Sequence, residues 1–153
     1  MKKIILLRHG EVDIKENKNI LANQLGRWII KYDNEYIIYK FSSKKKIKNL
    51  FDDADILICS SQKRSIQSVE IFGKTPFEIN SVFNEAQLPY ASWALLKLPP
   101  KIWLIFFRVL WFFGYSQNCE SFKETKQRAK KATKRLLQLS KRYKTIVLVG
   151  HEL

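Results

Sequence analysis

The chain has 153 residues, 46 % of them hydrophobic, which is enough for one domain with a core and excludes a disordered polymer. Its formal charge of +14, from 28 Lys and Arg against 14 Asp and Glu, favours anionic partners of every kind. That charge does not choose among phosphorylated metabolites, nucleic acid and acidic lipid. Two cysteines and no CxxC do not make a disulfide framework, and they suit a reducing cytoplasm.

In chain order, residues 4–7 form a continuous apolar run ended by Arg8-His9-Gly10, which reads as a strand buried on both faces. The run is too short for a signal-peptide core, and no small-residue cleavage site follows. Residues 17–32 carry Ile20, Leu21, Leu25, Trp28 and Ile29 at helical spacing. Residues 36–41 read as a short extended piece and 44–51 as a short basic helix. Residues 54–59 read as a second buried strand. Ser60 and Ser61 are then candidate N-caps for a helix over 62–72. Residues 77–82 suggest a third strand.

The segment 88–115 differs in kind. Pro89, Pro99 and Pro100 punctuate it, and 102–113 is apolar on every side except at Arg108. As a helix, those residues reach about 18 Å, short of a bilayer core of about 30 Å. The first reading is a buried core or lid helix. The alternative is membrane-surface or dimer contact through 102–113, with Trp103 and Trp111 near lysines suited to an interface.

Residues 121–143 then predict the longest helix. Ser121 and Glu124 have capping-box spacing, and Ala129, Ala132, Leu136, Leu139 and Tyr143 follow at helical intervals. Residues 145–149 are the last strand. The alternation predicts an α/β fold: a mostly parallel sheet flanked by helices on both faces, with a hydrophobic helical insert. Few residues follow the last strand, so a C-terminus truncated from a longer protein is expected.

His9 and His151, the two histidines of the chain, stand where the first and last strands stop. Open α/β sheets form ligand sites outside the carboxyl ends of their strands. With Arg8 beside His9, this suggests one anion site built from both ends of the sequence.

Five blocks, in order, carry a family resemblance. Arg8-His9-Gly10 resembles the Arg-His-Gly signature of the histidine phosphatase superfamily, also called the phosphoglycerate mutase-like family. Ser60-Ser61-Gln62-Lys63-Arg64-Ser65-Ile66-Gln67-Ser68 is similar to its Ser-x-x-x-Arg-Ala-x-x-Thr block, with Ser68 in place of threonine. Glu85 in Phe83-Asn84-Glu85-Ala86 is placed like the family's acidic residue after the third strand. Glu120-Ser121 with Arg128 downstream resembles a Gly-Glu-Ser block, Cys119 replacing the glycine. Val149-Gly150-His151 is like the second histidine, with Glu152 where glycine is usual. The family asparagine soon after Arg-His-Gly has only Asn17 near it, out of register. Residues 98–115 look like an insert found in some bacterial members.

The resemblance implies a single domain over 1–153, with 86–118 as insert or lid, and a further C-terminal helix beyond the end of this sequence. It implies hydrolysis of a small phosphomonoester through a phosphohistidine. The resemblance makes His9 the nucleophile, a role for which a neutral imidazole nitrogen is competent. Arg8 and Arg64, with planar forks that stay charged, bind the phosphate together with Ser60 and His151. His151 is expected to donate to a phosphoryl oxygen as the imidazolium. Glu85 is the general acid and then the base. Neither metal nor cofactor is expected, because side chains supply the charge. A mutase moving phosphate between hydroxyls, and a non-catalytic phosphate- or protein-binding member, are the alternatives. Nucleic acid is not expected as a partner, since charge alone supports it.

Overall fold

The computed structural model describes residues 1–13, 18–38 and 44–151. In chain order its elements are β1 (Lys3–Arg8), β2 (Ile20–Leu21), α1 (Leu25–Asn34), α2 (Lys44–Asp52), β3 (Ile56–Cys59), α3 (Lys63–Glu70), β4 (Glu78–Ile79), β5 (Lys97–Leu98), α4 (Pro100–Phe112), α5 (Phe122–Leu139) and β6 (Thr145–Gly150). Contacts divide the chain into two compact units. One draws on Met1–Asp13, Glu35–Glu85 and Arg128–Leu153, the other on Ile14–Asn34 and Ala86–Gln127.

The first unit is built on a sheet of order β1-β6-β3-β4, parallel throughout. On one face Phe51 of α2 and Val69 of α3 pack on Leu57, Cys59, Val147 and Val149. On the other, Leu139 and Leu136 of α5 pack on Ile56, Ile58 and Ile146. Each fully buried aliphatic side chain contributes about 1.5–3 kcal/mol. The two cores explain why β3 and β6 read as unbroken apolar runs: both faces of each strand are covered.

Strand β1 departs from that expectation. Among the described residues it is an edge strand, paired with β6 alone, and its alternate residues Ile4 and Leu6 are exposed, Leu6 at 71 %. Ile5 and Leu7 alone turn into the core. The serines do not cap α3 as expected either. Gln62 is its N-cap and makes no side-chain cap bond. The long helix ends at Leu139, four residues early, but its capping box forms: Ser121 N donates to Glu124 Oε2 (2.8 Å) and Glu124 N to Ser121 Oγ (3.3 Å). Of the extended piece at 36–41, Ile37 bridges to Val12, and 39–41 lie outside the described residues.

In the second unit the expected helix over 17–32 begins only at Leu25. Ile20 and Leu21 are extended and pair antiparallel with Leu98 and Lys97, and a short 3-10 turn, Ala22–Gln24, joins them to α1. Trp103, Phe107, Leu25, Ala22 and Ala91 form this unit's core. Trp103 Nε1 donates to Ile20 O at 2.8 Å, so the indole fills the core without an orphaned donor. Gly26 lets Tyr90 pack closely: a Cβ there would lie 3.0 Å from the ring, which would have to give by a few tenths of an ångström. Helix α4 forms where expected, with proline in its first turn, where the missing N–H costs no helix bond.

Candidate active site

Parallel register brings three strand ends together in the first unit. Arg8 pairs with Gly150, and Cys59 pairs with Val149. The next residues, His9, Ser60 and His151, therefore leave the sheet at one edge. The ladder runs one bond past the strands: His9 N donates to Gly150 O (3.0 Å) and Ser60 N to Val149 O (3.2 Å).

His9 is buried, and its Nδ1 lies 2.6 Å from Gly10 O. A carbonyl only accepts, so the hydrogen-bond network assigns the proton to Nδ1 and leaves a lone pair on Nε2. Arg64 Nε donates to that nitrogen at 3.1 Å, which agrees with the assignment. The ring centroids of His9 and His151 are 5.0 Å apart.

Arg64 is 1 % exposed, and helix α3 carries it. Its Nη2 donates to Glu85 Oε2 at 2.7 Å and to Gln62 Oε1 at 3.3 Å. One buried guanidinium thus faces both the imidazole and the carboxylate. Glu85 Oε2 also lies 3.8 Å from His151 Nδ1. Arg8 is exposed at the end of β1, and its charge acts on His151.

His151 Nε2 lies 2.8 Å from Ser60 Oγ and 3.2 Å from Ser65 Oγ. Its Nδ1 is buried with no hydrogen-bond partner among the described residues. Burial first, then the charges of Arg64, Arg8 and Arg128, push the imidazole down to about 3. The ring is therefore neutral near neutral pH, not the imidazolium expected from the sequence. Burial, the larger cause, penalises the charged form, and cations gathered for an anion then disfavour another cation beside them.

The structure brings Ser60, Arg64, Glu85 and His151 around His9, with Arg8 at the rim. It also reveals supports that the sequence reading left without a role. Ser68 Oγ accepts from Gly10 N (2.8 Å) and donates to Arg64 O (2.6 Å), tying the Arg-His-Gly turn to α3. Ser65, standing where the family pattern has alanine, adds a second hydroxyl beside His151. Arg128 Nη1 donates to Asn84 O (2.6 Å) and Val82 O (3.2 Å), and Nη2 to Glu85 O (3.4 Å). Its fork holds the loop that bears Glu85. Ser61 N donates to Asn84 Oδ1 (2.8 Å), fixing that loop from the β3–α3 side. The spacing of Ser68 and Arg128 within their blocks was the available signal.

Asn17 and Glu152 lie outside the described residues. Among the described residues, no group of three His, Cys, Asp or Glu could hold a metal ion. Burial pushes the nearby Cys59 thiol up to about 12, so it stays protonated and is a poor nucleophile.

No protein-family model matches this sequence, and no curated protein matches it. Solved structures do resemble it. A candidate alpha-ribazole-5'-P phosphatase from Escherichia coli aligns with TM-score 0.62 at 17 % identity, over 99 % of this chain and 75 % of that one. The alpha-ribazole phosphatase from Shigella flexneri gives 0.59 at 18 %, over 97 % and 73 %. A mycobacterial glucosyl-3-phosphoglycerate phosphatase gives 0.56 at 13 %, also over 97 % and 73 %. With its parallel sheet covered by helices on both faces, the chain shares the phosphoglycerate mutase-like fold of these solved structures.

Proposed function

We propose that the chain hydrolyses a small phosphomonoester through a phospho-His9 intermediate, inside the cell, with the necessary positive charge supplied by side chains. The observation that carries this reading is the tautomer of His9. Nδ1–H is fixed on Gly10 O, so the Nε2 lone pair faces the cations.

In the first step, the Nε2 lone pair attacks phosphorus and the phosphorus–oxygen ester bond breaks. Glu85, in its protonated form, gives a proton to the departing alkoxide. In the second, water attacks the phosphorus of phospho-His9 while Glu85 takes a water proton. The phosphorus–nitrogen bond breaks, and inorganic phosphate leaves. Arg8 and Arg64 bind the phosphoryl oxygens, and Arg64 can exchange its bond to Nε2 for one to an oxygen. Ser60 and His151 complete the cradle. A bound dianion offsets the cations that keep His151 neutral, so the ring can take up a proton and donate it in a hydrogen bond to a phosphoryl oxygen.

The test is release of phosphate from an aryl phosphate in the presence of chelator. His9→Ala should abolish it, and quenched wild-type enzyme should carry an acid-labile phosphoryl group. Activity surviving His9→Ala would refute the nucleophile. Label passing between hydroxyls with little net phosphate release would identify a mutase instead. No turnover, with melting still raised by phosphate, would identify a binding member.

A further inference from the structure

Helix α4 has a second face that the core of its unit does not use. Trp103, Phe107 and Trp111 are buried, on the side packed into that core. On the opposite side Ile102, Ile105, Phe106, Val109, Phe112 and Phe113 are all exposed, Ile105 at 63 %, Phe112 at 58 % and Phe113 at 86 %. At helical spacing they fall within an arc of about 120°. Leu95 and Leu96, which precede the helix, are exposed as well, and Trp93 packs on Trp103 with ring centroids 5.6 Å apart. Scattered exposed apolar residues are ordinary in soluble proteins; a contiguous set of this size marks an interaction surface.

Charge selects the occupant. From residue 86 to residue 119 the sequence has no Asp or Glu, and its charged residues are Lys97, Lys101 and Arg108. Lys101 and Arg108 border one edge of the apolar arc at helical spacing. Two copies meeting through this face would bring like charges together, with no carboxylate from the same face to match them, on chains of charge +14 each. An anionic bilayer surface offers both an apolar layer and the opposite charge. The helix cannot cross that layer: its 13 residues reach about 20 Å. No described helix is long and apolar enough to span a membrane.

We infer that α4 docks the protein on an anionic lipid surface, lying in the interface plane with Ile105, Phe112 and Phe113 in the acyl boundary and Lys97 and Lys101 at the headgroups. This surface is independent of the proposed phosphatase chemistry, and phosphate release reports separately on that. The full chain should co-sediment with vesicles of mixed phosphatidylcholine and phosphatidylglycerol, and much less with phosphatidylcholine alone or at raised salt. The triple variant Ile105→Ser/Phe112→Ser/Phe113→Ser should lower the partition coefficient more than about tenfold with an unchanged melting curve, since it deletes most of the inserted apolar area. Lys97→Gln/Lys101→Gln should lower it about fivefold per charge. Three results would overturn the inference. They are no binding to the anionic vesicles, binding unaffected by the triple variant, and a concentration-dependent dimer without lipid that the triple variant abolishes while no vesicle binding is seen.

Discussion

The low affinity of His151 for a proton makes folding sensitive to pH, and the sign follows from linkage. The ordinary imidazole value is 6.5, and in the folded chain burial first, then the neighbouring cations Arg64, Arg8 and Arg128, take it to about 3. Below 6.5 the unfolded chain binds a proton that the folded chain does not. Stability is therefore complete above that value and is lost as the pH falls towards 3. At pH 5 the full shift corresponds to about 2 kcal/mol. His151 is only partly buried, so solvent screening reduces this to about 1 kcal/mol. For a chain of this size that is about 2–4 °C in melting temperature. Melting curves from pH 7.5 to 5 should show His151→Gln losing less stability than the wild type by this amount. The difference should vanish above pH 7. Parallel curves for the two proteins across the whole range would refute the neutral, cation-crowded His151.

The same shift predicts that phosphate binding is accompanied by proton uptake, measured as a binding enthalpy that changes with buffer ionisation enthalpy; His151→Gln should remove the dependence. Ser68→Ala leaves the buried Gly10 N–H without its acceptor, at a cost of about 1–3 kcal/mol, and should lower the melting temperature by several degrees, while Ser68→Thr keeps the hydroxyl and most of the stability. Arg128→Leu removes three bonds to the carbonyls of Val82, Asn84 and Glu85. If Glu85 acts as proposed, that variant should lower kcat by about 10–100-fold with a smaller change in KM.

The parts of the site legible in the sequence are those that depend on strand ends. His9 and His151 stand one residue past β1 and β6, and an apolar run that stops at a polar residue is visible without a structure. Arg64 was legible only through its register with Ser60, because a lone arginine on a helix does not reveal that it is buried. Ser68 and Arg128 stood within matched blocks, but their partners lie 58 and 44 residues away, and spacing does not report such contacts. The neutral state of His151 in the unliganded site is not legible in the sequence for a related reason: burial and neighbouring cations are properties of the folded site. Ile20 and Leu21 fitted a helical stripe, yet they pair with β5, since two apolar neighbours satisfy either period. The run at 4–7 suggested a strand covered on both faces, and β1 instead lies at the sheet edge with Ile4 and Leu6 exposed.

Position and aim are divided between sheet and helix at this site. Backbone bonds of the extended ladder fix where His9 and Ser60 sit, and they are independent of side-chain identity. A slip of one residue between β1 and β6 would turn every core side chain of one strand outward, so the sheet defends that placement strongly. The rings are aimed by α3: Arg64 meets His9, Ser65 meets His151, and Ser68 ties the turn to the helix backbone. Substitutions on α3 should therefore alter the protonation and reactivity of the two histidines with little effect on strand pairing. Substitutions at Val147 or Ile58 should destabilise the whole unit before they change the chemistry. An α3 variant that lost the sheet's amide protection as completely as a core variant would contradict this division of labour.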